Sequence, residues 1–449
     1  MRVAIIGAGY VGLVSGVCLA EQGHQVTCVD LDPAKVARIN AGEPPIHENG
    51  LGELLRRHVG RGFRATTDLA AAVRGAELTM IAVGTPFDGH RIDLTAVTAA
   101  SREIGAALRG VDAYHVVVVK STVVPGTTET TVRRGVEEGS GKVAGQGFGL
   151  GMNPEFLTEG QAVEDFLHPD RIVLGGIDER TLNRMAELYQ GFAGVPVVRT
   201  NPRTAEMIKY ASNAMLATAI SFSNDLAGLC TLLGEIDIAE VMQGVHLSAY
   251  LSPALEDGTR IRAPLASFYD AGCGFGGSCL PKDVKALVAQ GAELGHPLRV
   301  LQAVLDVNRD QSHEVLRLLR KHHPTLRDLR VTVLGLAFKP DTDDVRESPG
   351  LRIVELLLDE GARVTGYDPA ARPALNGRHP ATALTLAPDL AVAIGGAEAI
   401  VIATRWDEFR RLPRLLDGVV PQPLVVDGRR LLPPKSVSRY EGIGRGMPA

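Results

Sequence analysis

The sequence predicts an α/β protein: two Rossmann-like, doubly wound parallel-sheet domains joined by a central helical domain with a long helix. Three observations predict it. Short apolar runs ending in Gly, Pro, Ser or Thr recur between helical patterns through residues 1–200, as βαβ units require. From "NPRTAEMIKYASNAMLATAISFSNDLAGLCTLLG" the period turns helical for about thirty positions. After "HHPTLRD", a strand, glycine turn, helix and second strand begin again. The expected domains are residues 1–200, 201–322 and 323–449.

A chain of 449 residues that is 45% hydrophobic can bury a core in each of several domains. Its net charge of −5, without a long basic run, points away from nucleic-acid and membrane-surface partners and toward small or acidic ligands. The apolar start "MRVAIIGAGYVGLVSG" is broken by glycines and has no cleavage-site pattern, so it is not read as a signal peptide. No stretch reads as long enough to span a bilayer. Five cysteines, Cys18, Cys28, Cys230, Cys273 and Cys279, are an odd number without zinc-type spacing. That argues against a disulfide framework and against a bound metal, and fits a reducing cytoplasm. Cys18, Cys28 and Cys230 lie in apolar periodic segments and are expected in the core.

Residues 2–6, "RVAII", read as a buried parallel strand leading into "GAGYVG" and a helix through Gln22. Gly7 permits the tight turn, Gly9 lets the backbone approach a pyrophosphate, and Gly12 lets helix pack on strand. The helix N-terminus, with Tyr10 and Val11 in its first turn, then meets the anion. "HQVTCVD" supplies a second strand ending in Asp30, whose carboxylate suits a ribose 2′-hydroxyl and repels a 2′-phosphate. NAD is therefore the expected cofactor, with Lys35 added to its set. Further strands are expected in "LTMIAVGTP" (78–86), "AYHVVVVKSTVVPGTT" (113–128) and "GFGLGMNPEFLTEG" (147–160). Ligands bind at the carboxyl ends of such strands, so Thr85, Ser121, Thr122, Asn153 and Glu155 are expected to face the cofactor. Ser121 has a second reading, as a helix cap.

On the long helix, Lys209 and Asn213 are four apart and share a face with Glu206; Lys209 alone also fits a snorkelling surface lysine. In the last third, "LRVTVLGLAFKPDTDDVRESPGLRIVELLLDEGARVTGYDP" repeats the strand and glycine turn without a full GxGxxG, as for a different ligand. Lys339 and Arg346 in its loop suit phosphates or a ring carbonyl, or else pair with Asp341, Asp343 or Asp344. The tail from Pro433 to Ala449 reads as partly disordered.

"CGFGGSCLPKDV" (273–284) sets a thiol among glycines. Pro281 suits the first turn of a helix, which puts Cys279 just before a helix N-terminus. The helix dipole and Lys282 favour thiolate, the glycines allow a sugar to approach, and Asp283 lies one turn on. An activated cysteine beside NAD suggests an aldehyde held as a thiohemiacetal, oxidised to a thioester and hydrolysed.

The segments "GAGYVGL", "VGTP", "STVVPGTT", "NPEFLTEGQAVEDFLHPDRIVLGG", "AEMIKYASNAMLA", "GFGGSCLPKDV" and "GLAFKPDTDDVRES" together resemble the successive signatures of the UDP-glucose/GDP-mannose dehydrogenase family. The resemblance implies NAD-dependent oxidation of a nucleotide sugar's C6 alcohol to a carboxylate, and a dimer formed through the long helix. It implies Cys279 as nucleophile, Lys209 and Asn213 as stabilisers of the C6 oxyanion, Asp283 and Thr122 as holders of a water, and Glu155 as the carboxylate of thioester hydrolysis. Glu159, Lys282 and Arg346 join the cofactor set. Phe156, Leu157, Phe268, Tyr269, Gly276, Phe338 and Lys339 are expected against the sugar nucleotide. "DGTRIRAPLASFYDAG" carries extra residues where the family usually has Arg-Ile-Gly, so either Arg260 or Arg262 is expected at a substrate phosphate. "NPEFLTEGQAVEDFLHPDRIV" is closer to the UDP-glucose branch, with TDP-glucose or GDP-mannose as alternative substrates and a non-catalytic NAD- or nucleotide-sugar-binding protein as the alternative class.

Overall fold

The computed structural model describes residues 1–371, 375 and 384–446. The chain forms two compact units, Met1–Ser212 and Asn213–Ala449.

The first unit is built on an eight-stranded sheet in the order β3-β2-β1-β4-β5-β6-β7-β8. Its strands are β1 (Arg2–Ile6), β2 (Gln25–Val29), β3 (Phe63–Thr66), β4 (Leu78–Ile81), β5 (His115–Val119), β6 (Phe148–Met152), β7 (Ile172–Gly176) and β8 (Val197–Thr200). The central strands are continuous apolar runs because both faces are covered: β4 and β5 are buried at every position. On one face Val3, Ile5, Val116 and Val118 share a core cluster with the first helix (Tyr10–Glu21); on the other Ala4, Ile6, Val117 and Val119 join a second cluster with different helices. All pairs are parallel except β6 with β7. That antiparallel join, and with it β7 and β8, extends the sheet beyond the strands expected from the βα pattern.

The second unit carries a six-stranded, fully parallel sheet in the order β11-β10-β9-β12-β13-β14. These strands are β9 (Arg330–Leu334), β10 (Arg363–Tyr367), β11 (Thr385–Leu386), β12 (Ala399–Ile402), β13 (Leu424–Asp427) and β14 (Tyr440–Gly442). The tail is a correction to the sequence reading. Tyr440, Glu441 and Gly442 are buried and form the edge strand β14. Beyond it, Gly446 N–H donates to the Ile236 carbonyl. Polar composition hid a strand whose backbone hydrogen bonds go to β13. Met447, Pro448 and Ala449 lie outside the described residues.

The boundary between units falls within the long helix (Pro202–Leu233), after Ser212. Among the described residues this is the one helix long and apolar enough to cross a membrane by length and composition, which corrects the expectation of no such stretch. Its alanines explain both facts. They raise its hydropathy, and Ala205, Ala214 and Ala217 are packed into protein cores, as in the core helix of a globular domain.

Candidate active site

In the first unit, Gly7 sits at φ +104°, open to glycine and not to other residues, and a Cβ on Gly12 would lie 1.9 Å from the Gly7 carbonyl oxygen. A Cβ on Gly9 would meet nothing within 4 Å, and Gly9, at the N-cap of the first helix, offers that helix no side-chain cap. Open space over uncapped helix N–H groups fits a dinucleotide pyrophosphate. Asp30 accepts from Ala8 N–H (3.0 Å), Asp32 N–H (3.1 Å) and Lys35 Nζ (2.8 Å). Burial works to raise its carboxyl, but these hydrogen bonds outweigh that and hold it below the ordinary aspartate value. The Tyr10 hydroxyl bonds to Glu48, and Gly160 N–H lies 3.1 Å from it.

The loop after β5 carries the next groups. Ser121 Oγ lies 2.7 Å from the Val83 carbonyl and 3.2 Å from that of Ile81, so it ties two strand ends together and caps no helix. Thr85 Oγ1 donates to the Thr122 carbonyl at 2.7 Å, and Thr122 itself is half-buried. Glu206, fully buried, accepts from Thr128 N–H (2.8 Å), Thr128 Oγ1 (2.6 Å) and Gly126 N–H (2.5 Å). The face that Glu206 shares with Lys209 therefore points inward.

Lys209 is 4% exposed, which removes the reading as a surface lysine. Its Nζ lies 3.2 Å from Glu155 Oε1 and 5.5 Å from the centroid of the Phe156 ring. Glu155 Oε2 accepts from Leu157 N–H at 2.7 Å. Burial alone would raise the Glu155 carboxyl; Lys209, the Leu157 N–H and Lys120 outweigh it and hold the group below the usual glutamate value. Glu159 is half-buried in the loop just beyond.

Two results here differ from the sequence reading. Asn153, expected to face the cofactor, is 2% exposed and spends its amide inside the protein: Oδ1 accepts from Lys120 Nζ (3.0 Å) and Tyr189 OH (2.5 Å), and Nδ2 donates to the Val173 carbonyl (2.9 Å). Lys120 went unnoticed. The signal was a lysine directly after the all-apolar run "VVVV", where a solvated position is not to be expected.

In the second unit, Cys279 is the N-cap of the helix Leu280–Glu293, which has Pro281 in its first turn, as expected. Cys18, Cys28, Cys230 and Cys273 are buried, and Cys279 is not. Burial pushes the Cys18 and Cys28 thiols up to about 12, making them inert packing. Asp283 N–H donates to the Cys279 carbonyl at 2.9 Å, and Ser278 Oγ lies 3.5 Å from Cys279 Sγ. The Asp283 carboxylate, 1% exposed, accepts from Asn213 Nδ2 at 2.6 Å and pairs with Lys282 Nζ at 2.5 Å. The loop before the thiol needs its glycines: a Cβ on Gly276 would lie 2.1 Å from the Glu347 carbonyl, and one on Gly277, at φ +87°, would lie 2.7 Å from the Phe338 ring.

A cavity of about 240 Å³ opens beside this loop, lined among others by Phe268, Gly276, Phe338, Lys339, Arg405 and Arg429. The sequence reading named the first four and missed the two arginines, which follow β12 and β13 where the second sheet presents its carboxyl ends. Tyr269 packs edge-on against Phe222 and His246 instead. Arg260 donates to the Leu247 carbonyl at 2.8 Å, and Arg262 lies 3.4 Å from His246 Nδ1. Arg346 forms a bidentate pair with Asp344.

The glycine cradle of the first unit fits the dinucleotide of an NAD-dependent dehydrogenase. Domain profiles of the UDP-glucose/GDP-mannose dehydrogenase family match the chain in three parts: the NAD binding domain over residues 1–193, the central domain over 203–310 and the UDP binding domain over 332–434. The chain is 44% identical to UDP-glucose 6-dehydrogenase AglM of Haloferax volcanii, over 99% of each chain. It is 36% identical to the GDP-mannose 6-dehydrogenase of Azotobacter vinelandii, over 99% of this chain and all of the other. A solved UDP-glucose dehydrogenase from the hyperthermophilic archaeon Pyrobaculum islandicum superposes with a TM-score of 0.87 at 38% identity, covering 99% of this chain and 98% of that one. The chain belongs to the UDP-glucose/GDP-mannose dehydrogenase family. It is an NAD-dependent nucleotide-sugar 6-dehydrogenase.

Proposed function

We propose that the sugar nucleotide is UDP-glucose and that its C6 alcohol is oxidised to the carboxylate of UDP-glucuronate, with the intermediate held on Cys279. The observation that carries this reading is the placement of Cys279: of the five cysteines it alone is not buried, and it caps a helix with Asp283 one turn on. The choice of UDP-glucose is supported by the higher identity to the Haloferax enzyme than to the Azotobacter one.

NAD, held by the Gly7–Gly12 loop, Asp30 and Lys35, supplies a hydride acceptor in each of two oxidations. The C6 hydroxyl gives its proton to the water held by Thr122 and Asp283, Lys209 and Asn213 donate to the C6 oxygen and stabilise its negative charge, and the first hydride leaves C6. The Cys279 sulfur then bonds to the C6 carbon of the aldehyde, and the oxygen takes up a proton to give a thiohemiacetal. Loss of that proton and of a second hydride from C6 leaves a thioester. A water held by Thr122 and Asp283 adds to C6 while Glu155 takes its proton. The carbon–sulfur bond breaks, the sulfur regains a proton, and the acid is released. Lys339 and either Arg260 or Arg262 bind the nucleotide diphosphate, Phe268 and Phe338 pack the base and sugar, and Glu159, Lys282 and Arg346 complete the cofactor site.

The same proposal includes the division into domains 1–200, 201–322 and 323–449, a cytoplasmic location, and a homodimer through the long helix. The dimer is supported by Met215, Phe222 and Leu229, exposed by 56%, 51% and 52% at a spacing that keeps them on one face.

The test is NADH formation with UDP-glucose, TDP-glucose, GDP-mannose and UDP-N-acetylmannosamine. UDP-glucose should give the highest kcat/KM and about two NADH per sugar, the stoichiometry of alcohol-to-acid oxidation through a thioester. Cys279→Ala, given the nucleotide-sugar 6-aldehyde directly, should make essentially no acid. Faster turnover of TDP-glucose or GDP-mannose would move the assignment to that base, and acid formation by Cys279→Ala near the wild-type rate would end the covalent route.

A further inference from the structure

Lys120 is 5% exposed and sits where β5 ends. Its ammonium is fixed by Asn153 Oδ1 at 3.0 Å, and Asn153 is fixed in turn by Tyr189 OH and the Val173 carbonyl. The Phe166 ring lies 5.9 Å from Lys120 Nζ. The mechanism proposed above gives this group no task, and an unused buried ammonium is expensive: isolated in an apolar interior it is desolvated without return. Burial does pull it down to about 8, and Lys209 adds to the fall, while Glu155 opposes it. Lys209, from the long helix, pairs with Glu155 at 3.2 Å, and Lys120, from the end of β5, is bonded at 3.0 Å to Asn153, two residues before Glu155 on the same chain segment, where its charge favours the Glu155 carboxylate. Around Lys120 the titratable groups are Glu155, Lys209 and the phenol of Tyr189, which burial pushes above the ordinary tyrosine value.

One cation would be enough for a structural ion pair. Lys209, however, is asked to donate to the C6 oxygen, so its ammonium is shared between that oxygen and Glu155. A buried carboxylate whose one paired ammonium is shared with a second negative oxygen is held less firmly in its ionised form, and a protonated carboxyl can no longer act as a base. We propose that Lys120 is a positioning residue for Glu155, a second fixed positive charge that keeps this carboxylate ionised for thioester hydrolysis. The inference rests on the assignment of Glu155 as the hydrolytic base.

The test follows acid formation from the 6-aldehyde across pH 5–9 in the full-length protein, with mass spectrometry of the Cys279 peptide. The variants are Lys120→Gln, Lys120→Met, Lys120→Arg and Glu155→Gln. Gln can still donate to Asn153 Oδ1 but carries no charge, so it separates the two roles of the side chain. In Lys120→Gln and Lys120→Met the acid limb should move up by about one pH unit, as expected for a carboxylate losing a nearby cation. Below that limb hydrolysis should fall about tenfold, with thioester accumulating on Cys279, and recover at high pH. Lys120→Arg should keep the wild-type limb. If Lys120→Gln follows the wild-type profile while Glu155→Gln accumulates thioester, Lys120 is only an anchor for Asn153 and the inference fails alone. If Lys120→Arg shifts as far as Lys120→Gln, charge is not the cause and the inference fails again. If Glu155→Gln hydrolyses thioester normally, the assignment of Glu155 fails and takes the inference with it.

Discussion

At the start of the first sheet, Gly7 takes φ +104° and a Cβ on Gly12 would lie 1.9 Å from its carbonyl oxygen; at the start of the second, Gly335 takes φ +97° and a Cβ on Gly350 would lie 2.2 Å from its own. Each second strand then ends in an aspartate that reaches back to the turn, Asp30 to Ala8 N–H and Asp368 to Leu336 and Ala337 N–H. The backbone device that seats a helix on a strand is thus the same in both units. What differs is the loop between the glycines and the state of the aspartate. The first turn leads straight into its helix at Tyr10 and leaves open space over Gly9. The second, 336–349, carries Phe338 and Lys339 into the cavity beside the thiol loop. Asp30 takes three donors at 15% side-chain exposure; Asp368, 4% exposed, is spent on four backbone N–H groups and the Trp406 indole. A shared fold start becomes a cofactor site only where the loop is kept short and the carboxylate is left reachable.

The severest challenge to this parallel is to add a side chain at its closest contact. Gly12→Val and Gly350→Val each force carbons into a carbonyl that cannot retreat, because that carbonyl belongs to the turn itself. Each should cost at least about 3 kcal/mol, the upper end for overpacking, or prevent folding outright. Urea denaturation with probes in each unit would read it. A well-folded Gly350→Val beside an unfolded Gly12→Val would show that the second start only looks like the first.

The aspartates should separate next. Asp368→Ala strands several buried donors and should cost about 3 kcal/mol, with little change in KM for NAD in whatever protein remains folded. Asp30→Ala should cost under about 1 kcal/mol but lower kcat/KM for NAD about tenfold and narrow the preference over NADP. Equal destabilisation by the two changes would mean that Asp30 is structural too.

The parts legible in the sequence are those where chemistry and periodicity coincide. The strand–glycine–helix–aspartate order of 2–30, the valine run of β5 and the Cys279–Pro281–Asp283 spacing each admit few physical readings, and each is found where expected. β7 and β8 were not legible because nothing local announces an antiparallel join to β6. The tail was misread because β14 gains its stability from pairing with β13, a contact without local signature. Lys120 and Asn153 show the limit for the site itself. Their spacing in sequence carries no motif, and only the fold reveals that they are hydrogen-bonded to each other in the interior.

The smallest contrast between the sheets lies in the strand next to β4 in the first and next to β12 in the second, and it should appear with pH. β5, beside β4, begins with His115; β13, beside β12, contains no histidine. His115 is 2% exposed, with Nε2 at 2.8 Å from Thr79 Oγ1, and burial pulls its imidazole down to about 4 against the weaker opposing effect of a backbone hydrogen bond at Ala76. The unfolded chain would titrate this histidine near 6.5. Between those values the unfolded state binds a proton that the folded state refuses, so stability is present in full above about 6.5 and declines as pH falls toward about 4. The slope approaches about 1.4 kcal/mol per pH unit, and the change from pH 6.5 to pH 5 should be about 1.5 kcal/mol. His115→Gln, which can still hydrogen-bond Thr79 and does not titrate, should remove that part of the acid sensitivity. Native-state hydrogen exchange would localise it, with protection of the β5 amides falling over this range in the wild type more than protection of β13, and the difference shrinking in the variant. An unchanged acid response in His115→Gln would mean that the protons are taken up elsewhere and that the two sheets do not differ in this respect.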